Sequence, residues 1–153
     1  MLYLARHAKA GDRAAWKGDD RLRPLSKEGR RQADSLARRL ARLTTSDLVS
    51  SPYERCLQTV QPLAAVLRQP VLEDERLGEM KGFEGALELI SALADGSVMC
   101  SHGDVIPETI DALHRRGCAI IGEPNWRKAS VWVLTRDDTG HVVEATAWEP
   151  PEP

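Results

Sequence analysis

Short apolar runs alternate with amphipathic helical segments along this chain, and the first run starts at the second residue. Leu2-Tyr3-Leu4 predicts a strand that ends where charge begins, at Arg6 and His7. The other predicted elements are strands at 47–49, 71–72, 98–100, 131–134 and 141–148 and helices at 26–43, 52–68, 86–94 and 105–113. Such alternation predicts an α/β three-layer sandwich. We expect a mostly parallel central sheet, helices on both faces and an antiparallel edge from the last hairpin.

Length and composition are those of an ordinary folded domain. The 153 residues, 42% hydrophobic and 29% charged, predict one domain over 1–153 with a loose tail at 149–153. No apolar stretch approaches the ~20 residues of a membrane span, so we expect a cytoplasmic protein without a membrane partner. Cys56, Cys100 and Cys118 lack the spacing of a metal site or a disulfide framework, and we expect buried free thiols.

Charge is distributed unevenly along the chain. Residues 1–43 carry a net charge of +7 and residues 44–153 a net charge of −9. This imbalance indicates an anionic ligand near the N-terminal third. Aromatic residues are not interleaved with these cations, so we expect no nucleic-acid partner. Five arginines of the first helix are expected to solvate one of its faces: Arg30, Arg31, Arg38, Arg39 and Arg42.

Arginine, histidine and serine residues follow three of the predicted strands. Arg6 and His7 follow the first, Ser51 and then Arg55 follow the second, and His102 follows the strand at 98–100. Ligands of open α/β sheets bind outside the carboxyl ends of the strands, so these side chains are expected to converge. An arginine guanidinium can donate two parallel hydrogen bonds to phosphate oxygens, and histidine can act as a nucleophile. The sequence therefore predicts a phosphoryl pocket.

Four segments of the chain resemble the motifs of the histidine phosphatase, or phosphoglycerate mutase-like, superfamily. In chain order they are Leu4–Ala8 with its Arg-His-Ala signature, Ser50–Thr59, Leu77–Glu79 and Ser101–Gly103. Their order and spacing agree from Met1 to about Thr135. Ala8 stands where the superfamily usually has glycine, a departure that narrows the turn and leaves the chemistry in place.

The resemblance implies a reaction through a phosphohistidine intermediate on His7, without a metal or another cofactor. Arg6, Arg55 and His102 would stabilise charge on the phosphoryl oxygens. Glu79 would be the general acid for the leaving group and then the base for water. Two neighbouring carboxyl groups, those of Glu75 and Glu84, are alternatives for this acid.

Two subfamilies compete for the substrate. Small size, the Arg-His-Ala signature and the stretch Arg23–Ser26 resemble SixA-type phosphohistidine phosphatases, which act on phosphorylated histidines of proteins, and this is the expected function. Arg6–Gly11, Trp16–Asp20 and Arg23–Ser26 also resemble the phosphatase half of actinobacterial Nudix–phosphatase fusions, which implies nucleoside diphosphates or diadenosine polyphosphates as the alternative. A third hypothesis is a phosphate- or nucleotide-binding regulatory domain that has lost turnover.

Cations of the first loop are candidates for substrate binding. Lys9, Lys17 and Arg23 would make the mouth of the pocket positive. For Lys9, binding and simple solvation are equally open, whereas Arg13 and Arg21 are expected to solvate the loop. Ser51 is a further candidate phosphate ligand, although capping of the following helix is the expected role. Trp16 is a candidate for stacking on a base or a protein surface, and three other tryptophans, Trp126, Trp132 and Trp148, are expected to be structural.

Overall fold

The computed structural model describes residues 1–152, so the part of the predicted tail at Pro153 lies outside the described residues. The strands are β1 (Leu2–Arg6), β2 (Leu48–Ser50), β3 (Val71–Glu73), β4 (Val98–Ser101), β5 (Ala119–Ile121), β6 (Val131–Arg136) and β7 (Val142–Trp148). The α-helices are α1 (Lys27–Leu40), α2 (Glu54–Leu67), α3 (Glu84–Ala92) and α4 (Val105–Arg115). Short 3-10 turns lie at Asp20–Leu22 and Glu75–Leu77.

All seven strands form one sheet in the order β3-β2-β4-β1-β6-β7-β5. The pairs β1–β4, β2–β4, β2–β3 and β5–β7 are parallel. β6 is antiparallel to both of its neighbours, β1 and β7. The prediction of a mostly parallel sheet with an antiparallel hairpin is confirmed. The second antiparallel pairing, between β6 and β1, brings the start of β6 to the carboxyl end of β1.

Alternate residues of the strands enter two separate cores, one on each face of the sheet. Leu2 and Leu4 pack with the apolar sides of α3 and α4. Tyr3 and Ala5 point to the opposite face and pack with α1 and α2. This alternation follows from the two-residue period of a strand, and it confirms the predicted three-layer sandwich.

The first loop is tied to α1 at its base. Ser26 caps α1 by accepting a hydrogen bond from the amide of Gly29, and its own amide donates to the Lys9 oxygen at 2.9 Å. A Cβ at Gly29 would lie 1.9 Å from that same oxygen, so only glycine allows the loop to approach the helix this closely. The main chain at Lys9 is therefore held against α1.

The three cysteines are buried and free, as expected. None of the helices in residues 1–152 combines the length with the apolar character that a membrane crossing requires.

Candidate active site

The carboxyl ends of β1, β2 and β4 meet at one edge of the sheet, because these strands are parallel and adjacent. Arg6 is in register with Ser101, and Ser50 with Cys100. Just past these ends, the amide of His7 donates to the Ser101 oxygen at 3.0 Å. The predicted convergence of His7, Ser51 and His102 is therefore a direct result of strand order.

His7 is held with one ring nitrogen toward the main chain. Its Nδ1 lies 2.8 Å from the oxygen of Ala8, and a carbonyl oxygen only accepts hydrogen bonds, so Nδ1 carries the proton. The Ala8 amide is fixed in turn by Thr59 Oγ1 of α2, at 2.9 Å. Burial, with a smaller contribution from the Arg55 and Arg6 cations, lowers the pKa of His7 to about 3 despite the hydrogen bond to Ala8. His7 is thus a neutral imidazole with the lone pair on Nε2, which is the form a nucleophile needs.

His102 lies beside His7 and is positioned by side chains from the β2–α2 segment. Its Nε2 is 2.8 Å from Ser51 Oγ and 3.5 Å from Cys56 Sγ. The rings of His7 and His102 are 5.5 Å apart at their centres. Nδ1 of His102 is buried and has no hydrogen-bond partner within residues 1–152. A buried nitrogen in this state is suited to contact a bound substrate oxygen.

The role expected for Ser51 is wrong. α2 begins at Glu54, with Tyr53 as its N-cap residue and no side-chain cap, so Ser51 does not cap the helix. Ser51 is wholly buried, and its hydroxyl faces His102 instead. It acts on the site by orienting the imidazole, and it is not among the side chains that line the cleft described below.

Arg6 lies across the beginning of the segment that leads into α4. Its Nη1 donates to the main-chain oxygen of Trp126 at 2.6 Å, and its Nε is buried without a partner in residues 1–152. A Cβ at Gly103 would lie 2.5 Å from the Arg6 guanidinium carbon. Gly103 is therefore required for the close approach of Arg6 to the loop that carries His102.

Arg55 is completely buried behind two carboxylates. Its Nη2 is 3.1 Å from Asp20 Oδ2 and 3.1 Å from Glu79 Oε2, and its Nη1 donates to the Asp20 main-chain oxygen at 2.9 Å. The guanidinium carbon lies 4.9 Å from the centre of the Tyr53 ring. The cation predicted as a phosphate ligand is thus fixed in place by Asp20, Glu79 and Tyr53.

Glu79 reaches the site, whereas the two alternative acids do not. Its Oε1 accepts from Arg13 at 3.0 Å, and its Oε2 accepts from Arg55. Glu75 pairs with Arg21 on an exposed part of the surface. Glu84 is exposed at the start of α3. Among these three carboxyl groups, the cleft contains Glu79 alone.

An open cleft of about 550 Å³ lies over His7. Its charged and histidine side chains are Arg6, His7, Lys9, Asp12, Arg13, Arg23, Glu79, His102, Asp104 and Lys128. Two of the three loop cations predicted to bind substrate are therefore present: Lys9 and Arg23. The third, Lys17, is exposed and lies outside this lining. Arg13 is 65% exposed, as expected for a residue that solvates the loop, but it also reaches the cleft and binds Glu79.

The loop cations of the cleft are already paired within the protein. Lys9 Nζ is 2.9 Å from Glu28 Oε2. Arg23 is buried, with Nε 2.8 Å from Asp20 Oδ1 and Nη1 2.6 Å from the Gly11 oxygen. Burial alone would raise the pKa of Asp20, but the Arg23 hydrogen bond and the Arg55 charge lower it overall. Asp20 is thus an ionised bridge between two arginines.

Sequence reasoning missed Asp20, Lys128 and the main-chain oxygen of Trp126. Lys128 precedes β6, whereas all the predicted candidates follow strands. Because β6 is antiparallel to β1, its beginning lies at the same sheet edge as the end of β1, with Val131 opposite Ala5. The hairpin pattern of the last two strands in the sequence was the signal that could have indicated this position of Lys128. Within residues 1–152, no group of three possible metal-ligating side chains is present.

A neutral histidine with a free Nε2, facing a cleft rich in fixed positive charge, is suited to attack phosphorus. The comparisons with known proteins agree with this geometry. The family model described as histidine phosphatase superfamily (branch 1) matches residues 2–85. A curated relative, the 8-oxo-(d)GTP phosphatase of Mycolicibacterium smegmatis, is 36% identical over 157 aligned positions, which cover 99% of this chain and 48% of that protein. The chain thus spans about half the length of this relative.

Two solved structures share the fold. SixA from Agrobacterium tumefaciens superposes with a TM-score of 0.71 and 26% identity, covering 88% of this chain and 90% of that one. The protein histidine phosphatase SixA complexed with tungstate superposes with a TM-score of 0.72 and 20% identity, covering 98% of this chain and 96% of that one. The resemblance seen in the four sequence motifs is confirmed. The chain belongs to the histidine phosphatase superfamily.

Proposed function

We propose that this protein is a phosphatase that transfers the terminal phosphoryl group of a nucleoside di- or triphosphate to His7 and then to water. The observation that carries the proposal is the contact between His7 Nδ1 and the Ala8 oxygen at 2.8 Å. It fixes the tautomer in which Nε2 has the lone pair, and burial keeps the ring neutral.

In the first step, the Nε2 lone pair of His7 forms the bond to phosphorus while the bond from phosphorus to the leaving oxygen breaks. The electron pair of that bond stays with the leaving phosphate. Arg6 and His102 stabilise charge on the phosphoryl oxygens, and Arg55 adds its positive charge from behind. The Nδ1 proton remains on His7, so the phosphorylated ring is cationic and the Ala8 oxygen stabilises it.

In the second step, water attacks the phosphorus atom and the bond to Nε2 breaks. His7 returns to its neutral form and inorganic phosphate leaves. Glu79 is suited to accept the proton that water loses, since its carboxylate lies in the cleft and is held as a hydrogen-bond acceptor. The guanidinium groups supply the positive charge, so we expect both steps to proceed in the presence of a chelator.

The hydrogen bonds that Glu79 accepts from Arg13 and Arg55 support a substrate whose leaving group needs little protonation. Both of its oxygens accept hydrogen bonds from arginines, which leaves no proton directed at a leaving group. A leaving phosphate has a second pKa near ~6, whereas an alkoxide needs strong acid assistance. The likeness to the Mycolicibacterium smegmatis 8-oxo-(d)GTP phosphatase supports the choice of a nucleotide.

A phosphohistidine on a protein is the second candidate substrate. Imidazole also leaves without strong acid help, because its pKa is only ~6.5. The open cleft over His7 and the likeness to SixA from Agrobacterium tumefaciens favour this candidate. A regulatory domain without turnover would bind the same nucleotides and release no phosphate.

The test is phosphate release by the wild-type protein and by His7→Ala, with a chelator present. The substrates are a nucleoside diphosphate, a diadenosine polyphosphate, a phosphohistidine protein and a sugar phosphate. His114→Ala is the matched control, because His114 is exposed on α4 and outside the cleft. We expect the nucleoside diphosphate to be preferred, and His7→Ala to lose release with an unchanged circular dichroism spectrum.

Acid-labile label on the wild-type protein and its loss in His7→Ala would identify the intermediate. Unchanged hydrolysis by His7→Ala would refute the mechanism. Preference for the phosphohistidine protein would replace the nucleotide by the second candidate. Tight nucleotide binding with no release from any substrate would instead support the regulatory domain.

A further inference from the structure

The cations that line the cleft fall into two groups. Three of them pair with carboxylates: Lys9 with Glu28, Arg13 with Glu79 and Arg23 with Asp20. The other two, Arg6 and Lys128, form no ion pair within residues 1–152. Arg6 instead donates to the main-chain oxygen of Trp126. Anion binding at Arg6 and Lys128 would therefore break no ion pair.

Lys128 lies near several other cations of the cleft. Burial lowers its pKa, and the charged groups that lower it further are Arg6, Arg23, Lys9 and Arg13. These four are all cleft residues and all cationic. An anion placed between the Lys128 ammonium and the other cations would reduce their mutual repulsion. A cluster of this kind therefore favours anion binding.

The main chain next to Lys128 is fixed to the nucleophile. Ala129 has a φ of 68°, a left-handed conformation that is rare for residues other than glycine. Its amide lies 3.2 Å from the oxygens of both Arg6 and His7, and it is completely buried. Unusual backbone of this kind is found where surrounding structure holds it for a function. Here it places Lys128 one residue from a direct main-chain contact with His7.

We propose that Lys128 binds the phosphate of the leaving group, the one next to the phosphoryl group that His7 accepts. Arg6 and His102 then hold the transferred phosphoryl group, and Lys128 holds the second negative charge of a phosphoanhydride. This inference rests on the proposed function and deepens it, since it assigns the preference for a di- or triphosphate over a monophosphate to a single side chain.

The position of Lys128 fits this division of roles. Arg6 is the last residue of β1, and Lys128 lies just before β6, the antiparallel neighbour of β1. Both line the cleft with His7, and the Trp126 oxygen links their two segments through Arg6. A substrate with two adjacent phosphates can therefore contact both cations at once.

The test compares Lys128→Ala with the wild-type protein on three substrates. A nucleoside diphosphate carries the second phosphate, inorganic pyrophosphate carries it without a nucleoside, and phosphoramidate carries only the transferred group. We expect kcat/KM to fall about tenfold for the first two, the effect of losing one charge-assisted hydrogen bond. For phosphoramidate we expect a change of less than about twofold. Lys128→Arg should retain most of the wild-type activity, since it keeps the charge.

Lys27→Ala is the matched control, because Lys27 is exposed at the start of α1 and is not part of the cleft. Equal losses on phosphoramidate and the diphosphate would overturn the inference, and so would an unchanged rate on the diphosphate. A loss confined to the nucleotide, with pyrophosphate unaffected, would also overturn it.

A separate measurement distinguishes failure of this inference from failure of the proposed function. Pyrophosphate is used as a competitive inhibitor of phosphoramidate hydrolysis, which does not require nucleotide turnover. We expect its inhibition constant to rise about tenfold in Lys128→Ala. That rise would uphold the phosphate contact even if nucleotides were not hydrolysed, and an unchanged constant would refute it.

Discussion

Oε2 of Glu79 lies 3.1 Å from Nη2 of the buried Arg55, so the predicted acid and one predicted phosphate ligand form an ion pair with each other. The second oxygen of Glu79 accepts from Arg13. This pairing supports the proposed role of Glu79 in the second step of the reaction, in which a carboxylate accepts a proton from water.

Glu79→Gln is expected to separate the two steps. Phosphorylation of His7 should stay within about tenfold of the wild-type rate, whereas hydrolysis of the phosphohistidine should slow by about 10²- to 10⁴-fold, the range for removing a general base. The phosphorylated protein would then accumulate. Rapid quench with a labelled substrate measures both rates. Glu75→Gln is the control, as Glu75 is exposed and outside the cleft. A protein slowed equally in both steps would contradict this role.

Arg55→Ala is expected to lower kcat by about 10²- to 10³-fold, or about 2.7–4 kcal/mol of transition-state stabilisation. It should also lower the free energy of unfolding, because Asp20 and Glu79 lose a buried ionic partner. Arg55→Lys keeps the positive charge but loses the planar guanidinium that donates several hydrogen bonds. It should therefore recover the free energy of unfolding more than kcat. Steady-state kinetics and urea unfolding check both effects. A normal rate in a folded Arg55→Ala protein would remove Arg55 from the mechanism.

Gly103→Ala is expected to lower activity with little loss of stability. The added Cβ would lie 2.5 Å from the guanidinium carbon of Arg6. That guanidinium ends a flexible side chain and can move away from the new Cβ. It would then lose its proposed contact with the bound phosphoryl group. We expect a fall in kcat/KM of at least about tenfold and a similar urea midpoint. Gly18→Ala, where the nearest atom is 3.4 Å away, should change neither quantity. Wild-type activity in Gly103→Ala would show that Arg6 tolerates displacement.

The depressed pKa of His7 makes a prediction about acid stability. The pKa falls from 6.5 to about 3 on folding, chiefly through burial, so between these values the unfolded chain binds a proton that the folded protein does not. The free energy of unfolding therefore decreases as pH falls through this window, by at most about 1.4 kcal/mol per pH unit from this group.

Urea unfolding of the wild-type protein and of His7→Gln between pH 4 and pH 7 measures this contribution. The variant should lose less stability on acidification, whereas His114→Gln should follow the wild type. If His7→Gln and the wild type decline in parallel, His7 is not held neutral by the fold.

Local patterns in the sequence predicted most of the fold. The two-residue period of β1 and the apolar side of α1 follow from residue order, and the structure confirms both elements. The convergence of His7 and His102 also followed from a local rule, because each comes directly after a strand of a parallel sheet. The four motifs of the family are likewise contiguous stretches of sequence, so their order was visible without coordinates.

The sequence by itself therefore determined the α/β architecture, the family and the convergence of His7 with His102 at one edge of the sheet. Tertiary structure alone decided what those residues touch. Arg6 meets the Trp126 oxygen 120 residues away, and Arg55 meets Asp20, 35 residues before it. The location of Lys128 depends on β6 running antiparallel to β1. Such contacts arise from strand order and direction across the sheet, which are properties of the whole packed chain and leave no periodic signal in any one segment.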